Sequence, residues 1–261
     1  MRVHLVLLAA LALASCGGGS RTEVPIGRAV GGANAPRFAD ADPHDWSGNL
    51  LPWYYPVHGI DVSKYQGDVD WRRVRGAGVE FAYIKATEGG DHADDRFWQN
   101  WEGAAAAGLP RGAYHYYYFC RTPAEQAAWF MSHVPKDRYA LPPVLDIEWN
   151  HRSRTCRRFP DPETVRAEAR TFLELLTGYY GKRPLVYTTV DFYHDNELWK
   201  LQGNHFWLRS VAGHPSEVYP GQRWAMWQYT GTGIVDGIDA TTDLNVFSGS
   251  QAQLLAWGAG G

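Results

Sequence analysis

The chain has 261 residues, of which 45% are hydrophobic and 20% charged, with a formal net charge of -3. This is enough for one barrel-sized domain with a large core, and it excludes a disordered or fibrous chain. The near-balanced charge provides no field that would hold nucleic acid.

The first residues place Arg2 ahead of an apolar Leu/Ala run over residues 3–14, followed by small residues. The run is too short to cross a bilayer as a helix, so residues 1–16 read as an export signal. Its end, Leu13-Ala14-Ser15-Cys16, resembles a bacterial lipobox, in which Cys16 is diacylated and becomes the first residue of the mature chain. Ordinary secretory cleavage nearby is the alternative. Either route exports the protein, and the lipobox route anchors it to a membrane through Cys16, in the periplasm or at the outer membrane and cell envelope. Gly17 in place of the Asp linked to inner-membrane retention leans outward.

Residues 17–50, rich in Gly, Ala, Pro and Asp and without sustained periodicity, read as a flexible tether ahead of a catalytic domain over 51–261. With Cys16 lipidated, Cys120 and Cys156 remain in an oxidising compartment. They are expected to pair as a disulfide, the alternative being two separately buried thiols.

From residue 52 onward strand-like and helix-like runs alternate. Strands are expected over 57–65, 81–87, 112–119 and 142–149. Helices are expected over 70–75, 95–107 (stopped at Gly108) and 122–133, where Thr122-Pro123-Ala124-Glu125 supplies an N-cap, an N1 proline and an N3 carboxylate. A longer helix over 161–180 follows, capped by Asp161. Then come LVYTTVDF, HFWLRS, RWAMWQYT and TDLNVF, with little helix between the last three. Eight strands and a helix-poor final third predict one α/β domain, an incomplete (β/α)8-like barrel.

In Val144-Leu145-Asp146-Ile147-Glu148-Trp149, period two puts Val144, Asp146 and Glu148 on one face. Two carboxylates late on an apolar strand oppose each other's ionisation. One should therefore stay protonated near neutral pH, as a general acid must, unless both are salt-bridged at a loop start. A third acid, Asp61, ends the first strand in HGIDVSKYQG. A fourth, Asp243, begins DLNVF, and a barrel that pairs its first and last strands would set it beside Asp61. Asp236 and Asp239 precede it in a Gly-rich stretch that reads as a turn.

These motifs resemble glycoside hydrolase family 25, the Chalaropsis-type lysozymes or N,O-diacetylmuramidases. HGIDVSKYQG, YIKATEG (83–89), GAYHYYY (112–118), PPVLDIE, LVYT (185–188), WQYT (227–230) and DLNVF occur in order over residues 57–249. The resemblance implies a muramidase acting on the β-1,4 bond between N-acetylmuramic acid and N-acetylglucosamine in peptidoglycan, with Glu148 as general acid in a cluster with Asp146, Asp61 and Asp243. It also implies that Tyr114, Tyr187, Trp227 and Gln228 line the saccharide groove, while Lys85 and Glu88 are groove residues or an ion pair at the rim. The i, i+2 separation, roughly 6.6 Å at Cα, lies between the carboxyl spacings of retaining and inverting glycosidases and does not choose between them. The preferred mechanism has Asp146 orienting the substrate's own acetamido group for attack.

The chain departs from the family pattern at Tyr117-Tyr118-Phe119-Cys120-Arg121 and at Trp207-Leu208-Arg209-Ser210-Val211. Its most individual feature is the loop 151–158, whose arginines, Arg152 and Arg154 foremost, are candidates for binding carboxylates of the polymer; a solvated surface is the bland reading. A Cys120–Cys156 bridge would pin that loop over the groove. Other readings are a barrel cutting another N-acetylhexosamine polymer such as chitin, a non-catalytic wall-binding lectin, or a carboxylate-bound metal hydrolase. His115 lacks an i+4 histidine partner and reads as a satisfied rim residue, so neither metal nor cofactor is expected, and the chain is expected to act as a monomer.

Overall fold

The computed structural model describes residues 37–48 and 50–259. The expected signal sequence, Cys16 and residues 17–36 of the expected tether lie outside the described residues. In chain order the strands are β1 (Ala39–Asp40), β2 (Val57–Val62), β3 (Phe81–Glu88), β4 (His92–Ala93), β5 (Arg111–Tyr116), β6 (Val144–Asp146), β7 (Leu185–Thr188), β8 (His205–Arg209), β9 (Met226–Ile234) and β10 (Thr242–Phe247). The helices are α1 (Trp71–Gly76), α2 (Phe97–Ala106), α3 (Pro123–His133), α4 (Pro162–Tyr180), α5 (Val190–Asp195), α6 (Pro215–Val218) and α7 (Gln251–Gly258).

Strands β2, β3, β5, β6, β7, β8 and β9 run parallel in that order. Strand β10, antiparallel to both β9 and β2, closes the ring into an eight-stranded barrel. Caps fix the helix starts as the sequence predicts. Thr122 and Glu125 form a reciprocal capping box on α3, and the Asp161 carboxylate accepts from the backbone N–H groups of Glu163 and Thr164 on α4. The expected strand LVYTTVDF is corrected: it ends at Thr188, and the chain turns at Thr189 into α5, burying Phe192 and Tyr193. Short apolar runs carry no period that separates strand from helix.

Alternation sorts the side chains into two cores. Val57, Phe81, Tyr83, Val144, Leu185, Trp207, Met226 and Phe247 fill the barrel, and Leu254 and Trp257 of α7 plug its N-terminal end. Ile60, Val62, Ile84, Leu145, Val186, Leu208, Leu244 and Val246 face the outer layer. Gly59 is required by the inner packing, since a Cβ there would lie 2.4 Å from the Phe81 ring.

The tether expectation is corrected over residues 37–48. Here Ala39 and Asp40 pair with Ile234 and Gly233 of β9, Arg37 binds Glu80 and the Pro56 carbonyl, and the Trp46 ring meets Trp227 edge-on at 5.2 Å. This strap, with Tyr55 behind it, covers the outer face of β9 and β10. A helix would otherwise lie there, and only the four-residue α6 intervenes between β8 and β9. The segment has no periodicity because it is neither helix nor strand for most of its length, yet Phe38 and Trp46 give it apolar area to bury against the barrel.

Candidate active site

A cavity of about 980 Å³ opens at the C-terminal ends of the parallel strands, where barrel enzymes place their chemistry. Its lining includes Asp61, Asp146, Glu148 and Asp243 from the ends of three strands, β2, β6 and β10, with Lys85, Tyr114, Tyr116, Tyr187, Arg209 and Gln228. The barrel thus brings the four expected carboxylates together. Asp61 and Asp243 face each other in register across β2 and β10. Asp146 ends β6, and Glu148 lies one step beyond the ladder in a segment kept extended by the Ile147 N–H donating to the Tyr187 carbonyl at 3.0 Å.

The four are held differently. Asp61 accepts from Gln228 Nε2 at 3.1 Å and Asn245 Nδ2 at 2.8 Å, both on the same oxygen. These donors are fixed in turn, Gln228 by the Tyr187 hydroxyl at 2.8 Å and Asn245 by the Trp207 indole at 2.8 Å. Burial and then the Asp243 charge push the Asp61 carboxyl well above the carboxylate range, against those two bonds. Asp146 is raised likewise, by burial first and by Glu148 next, with Lys85 opposing. Its Oδ1 is buried without a hydrogen-bond partner, which costs about 1–3 kcal/mol unless it is relieved by a proton or a ligand. Burial also raises Glu148; a Tyr116 hydrogen bond and Arg209 oppose it, and Asp191 and Asp243 add to it. Asp243 is pushed up to about 6, by burial against Arg209 and a backbone N–H. Burial resists the ionisation of all four carboxyls, with few cations to relieve it, so the cluster as a whole keeps protons to higher pH than free carboxylates do.

Other expected residues divide. Tyr114, Tyr187, Gln228 and Arg152 line the cavity. Trp227 does not: alternation along β9 turns Gln228 inward and Trp227 outward. There its ring is buried among Trp46, Tyr55, His214 and Trp224, and its indole donates to the Ser210 carbonyl at 2.7 Å. Its expected groove role is therefore corrected to one of packing. Arg154 is exposed and outside the lining, so the structure does not place it at the groove. Lys85 and Glu88 form an ion pair at 2.6 Å. His115 is not at the rim. It lies buried between barrel and helices, bonded to Thr87 and Gln126 and stacked on Phe172, and burial lowers it to about 4.

Cys120 and Cys156 are joined as a disulfide, tying the loop after β5 to the arginine loop. Arg158 in that loop donates to the Phe119 carbonyl at 3.1 Å and is engaged in structure rather than in the mouth. Tyr116 and Arg209 border the acids although no motif reveals their roles; the signal is parity, since each lies two residues beyond an inward-facing ring, Tyr114 and Trp207. The acids Asp191 and Asp195 of α5, with the Trp149 indole donating to Asp195 at 2.8 Å, form the wall beyond Glu148.

A closed (β/α) barrel with a carboxylate-lined cleft at its C-terminal rim, its acids biased toward the protonated state, defines a barrel glycoside hydrolase. Residues 60–238 match the model of Glycosyl hydrolases family 25, and the chain belongs to that family. It is 37% identical over 215 residues to "Lysozyme M1" of Streptomyces globisporus, covering 77% of this chain and 70% of the relative. It is 34% identical over 215 residues to "Uncharacterized protein YegX" of Escherichia coli K12, covering 79% and 75%. Among solved structures it resembles a family 25 glycosyl hydrolase from Bacillus anthracis, with TM-score 0.75, 34% identity, and 84% of this chain and 99% of that one covered.

Proposed function

We propose that the chain is a peptidoglycan muramidase that hydrolyses the β-1,4 bond between N-acetylmuramic acid and N-acetylglucosamine, with Glu148 as the general acid. The observation that carries this reading is the cluster of four converging acids at the mouth of a family 25 barrel, its carboxyls held toward protonation by burial. Membership in a family that includes a lysozyme relative supplies the substrate class.

Glu148 lies at the outer edge of the cluster, hydrogen-bonded to Tyr116 and biased by burial toward the protonated form, and gives its proton to the leaving oxygen. Asp146, deeper and with one unsatisfied oxygen, accepts the N–H of the substrate's acetamido group. The acetamido carbonyl then closes on the anomeric carbon as the glycosidic bond breaks, and water reopens the ring, restoring the sugar and Glu148. Asp61 and Asp243 hold charge and hydrogen bonds around the anomeric centre. Tyr114, Tyr187 and Gln228 border the sugar, and Arg152 contacts polymer carboxylates from the rim.

The decisive experiment is mass analysis of fragments released from purified peptidoglycan. New reducing ends on muramic acid are expected from the wild type, and Glu148→Gln should abolish them while still binding the polymer. Reducing ends on glucosamine, or undiminished turnover by the variant, would refute the assignment. Equal turnover of a glycan lacking N-acetyl groups would remove the acetamido step alone. The lipobox supports a further proposal, that the enzyme is exported and anchored through a lipid on Cys16.

A further inference from the structure

The cavity lining carries six acidic side chains, Asp61, Asp146, Glu148, Asp191, Asp195 and Asp243, and three cationic ones, Lys85, Arg152 and Arg209. Protonated carboxyls offer an incoming carboxylate no counter-charge and ionised ones repel it, so a polymer bearing carboxylates of its own is received here only by a free cation. Lys85 is not free, because its ammonium is held by Glu88 at 2.6 Å and lies 4.9 Å from the centre of the Tyr116 ring. Among the described residues, neither Arg209 nor Arg152 comes within 4.0 Å of a carboxylate oxygen.

The position of Arg209 follows from register. Asp146 pairs with Tyr187 and Tyr187 with Trp207, one row around the barrel. Two residues further along the outer strands lie Glu148 and Arg209, on either side of Thr189, and all three line the cavity. Neighbouring strands are about 4.8 Å apart, so the two backbones stand roughly 10 Å apart across β7. On its other side Arg209 pairs with Gln228, which binds Asp61. Arg209 is half-buried at the level of Glu148, whereas Arg152 is exposed at the rim.

We propose that Arg209, with Arg152 above it, forms an anion subsite for the free carboxylate of the 3-O-lactyl group on the muramic residue beside the scissile bond. The preferred polymer is then glycan from which stem peptides have been removed. The inference rests on the muramidase reading and deepens it. In peptide-bearing glycan the lactyl carboxyl is an amide and carries no charge, so a guanidinium facing it gains no ion pair. Hydrolysis of that amide creates the anion, which places amide hydrolysis before this enzyme as the reaction that supplies its substrate. Carboxylates of an attached peptide lie several bonds further from the ring, and would meet exposed Arg152 rather than half-buried Arg209. A planar guanidinium can take a carboxylate through two parallel hydrogen bonds, which sets the ring's position as well as its charge.

The test compares peptide-free glycan strands with the same strands after their lactyl carboxyls are converted to primary carboxamides. The wild type, Arg209→Gln and Arg209→Lys are assayed on both at low and high salt. The wild type should show a kcat/KM about tenfold higher on the carboxylate form, carried mainly by KM and reduced by salt; a tenfold ratio corresponds to one charge-assisted contact. Arg209→Gln should bring the ratio toward one, and Arg209→Lys should keep part of it. A wild type indifferent to amidation, or an Arg209→Gln enzyme slowed equally on both polymers, overturns the subsite. Preference for peptide-bearing strands overturns it as well and assigns the arginine to the peptide. A wild type that leaves no reducing muramic ends on either polymer overturns the muramidase reading itself.

Discussion

Replacing Asp243 by Asn should lower turnover yet stabilise the fold at neutral pH. Burial carries this carboxyl from 3.8 to about 6. A group that binds its proton more tightly in the folded chain than in the unfolded one favours folding while protonated, and that stability is lost as pH rises through the interval between the two values. At 1.36 kcal/mol per tenfold change, the loss amounts to about 3 kcal/mol above pH 6. Asn has the shape of the protonated acid and no charge to bury, so it escapes the loss. It also removes the charge that is the second cause of the raised Asp61, an effect of the same sign. The variant should therefore melt roughly 6–12 °C above the wild type at pH 8, and close to it below pH 4. Paired thermal melts at the two pH values check this. A variant no more stable at pH 8, or one whose advantage is the same at both, would refute the claim that burial of this charge sets its proton affinity.

Trp46→Ala should lower Tm by roughly 4–8 °C, since a half-buried ring stacked edge-on to Trp227 is worth about 2 kcal/mol; an unchanged melt would make residues 37–48 a tether after all. Cys16→Ser should abolish labelling by radioactive palmitate and move the enzyme from the detergent phase to the aqueous phase of a partition. Lipid label retained by the Ser variant would refute the anchor.

The fold was legible wherever a local rule had one outcome. Caps placed α3 and α4 within a residue, and period two put Asp61, Asp146 and Asp243 on the inner face. What escaped depends on neighbours distant in sequence. Trp227 and Gln228 lie side by side in one motif, and which of them faces inward depends on β9 pairing Gln228 with Asn245 beside Asp61. The strap over 37–48 has a loop's composition, and only the absence of a helix outside β9 and β10 gives its aromatic residues a surface to cover. Arg209 is one arginine among many until the register sets it level with Glu148.

The resistance of the acids to ionisation also explains the placement of the cations. Ion-pairing each carboxylate would relieve its burial, but it would hold the acid ionised and remove the proton that catalysis needs. Lys85 points into the cluster and pulls the Asp146 carboxyl down, yet Glu88 takes its ammonium at 2.6 Å, and the Tyr118 hydroxyl braces Glu88 at 2.8 Å. Its charge is thus largely satisfied before it reaches Asp146. Asp61 is held by the amides of Gln228 and Asn245, neutral donors that orient a carboxyl with less pull on its proton than a cation would exert. Arg209 opposes the rise of Glu148, Asp61 and Asp243 without closing on any of them, and so remains open to an anion brought by the substrate.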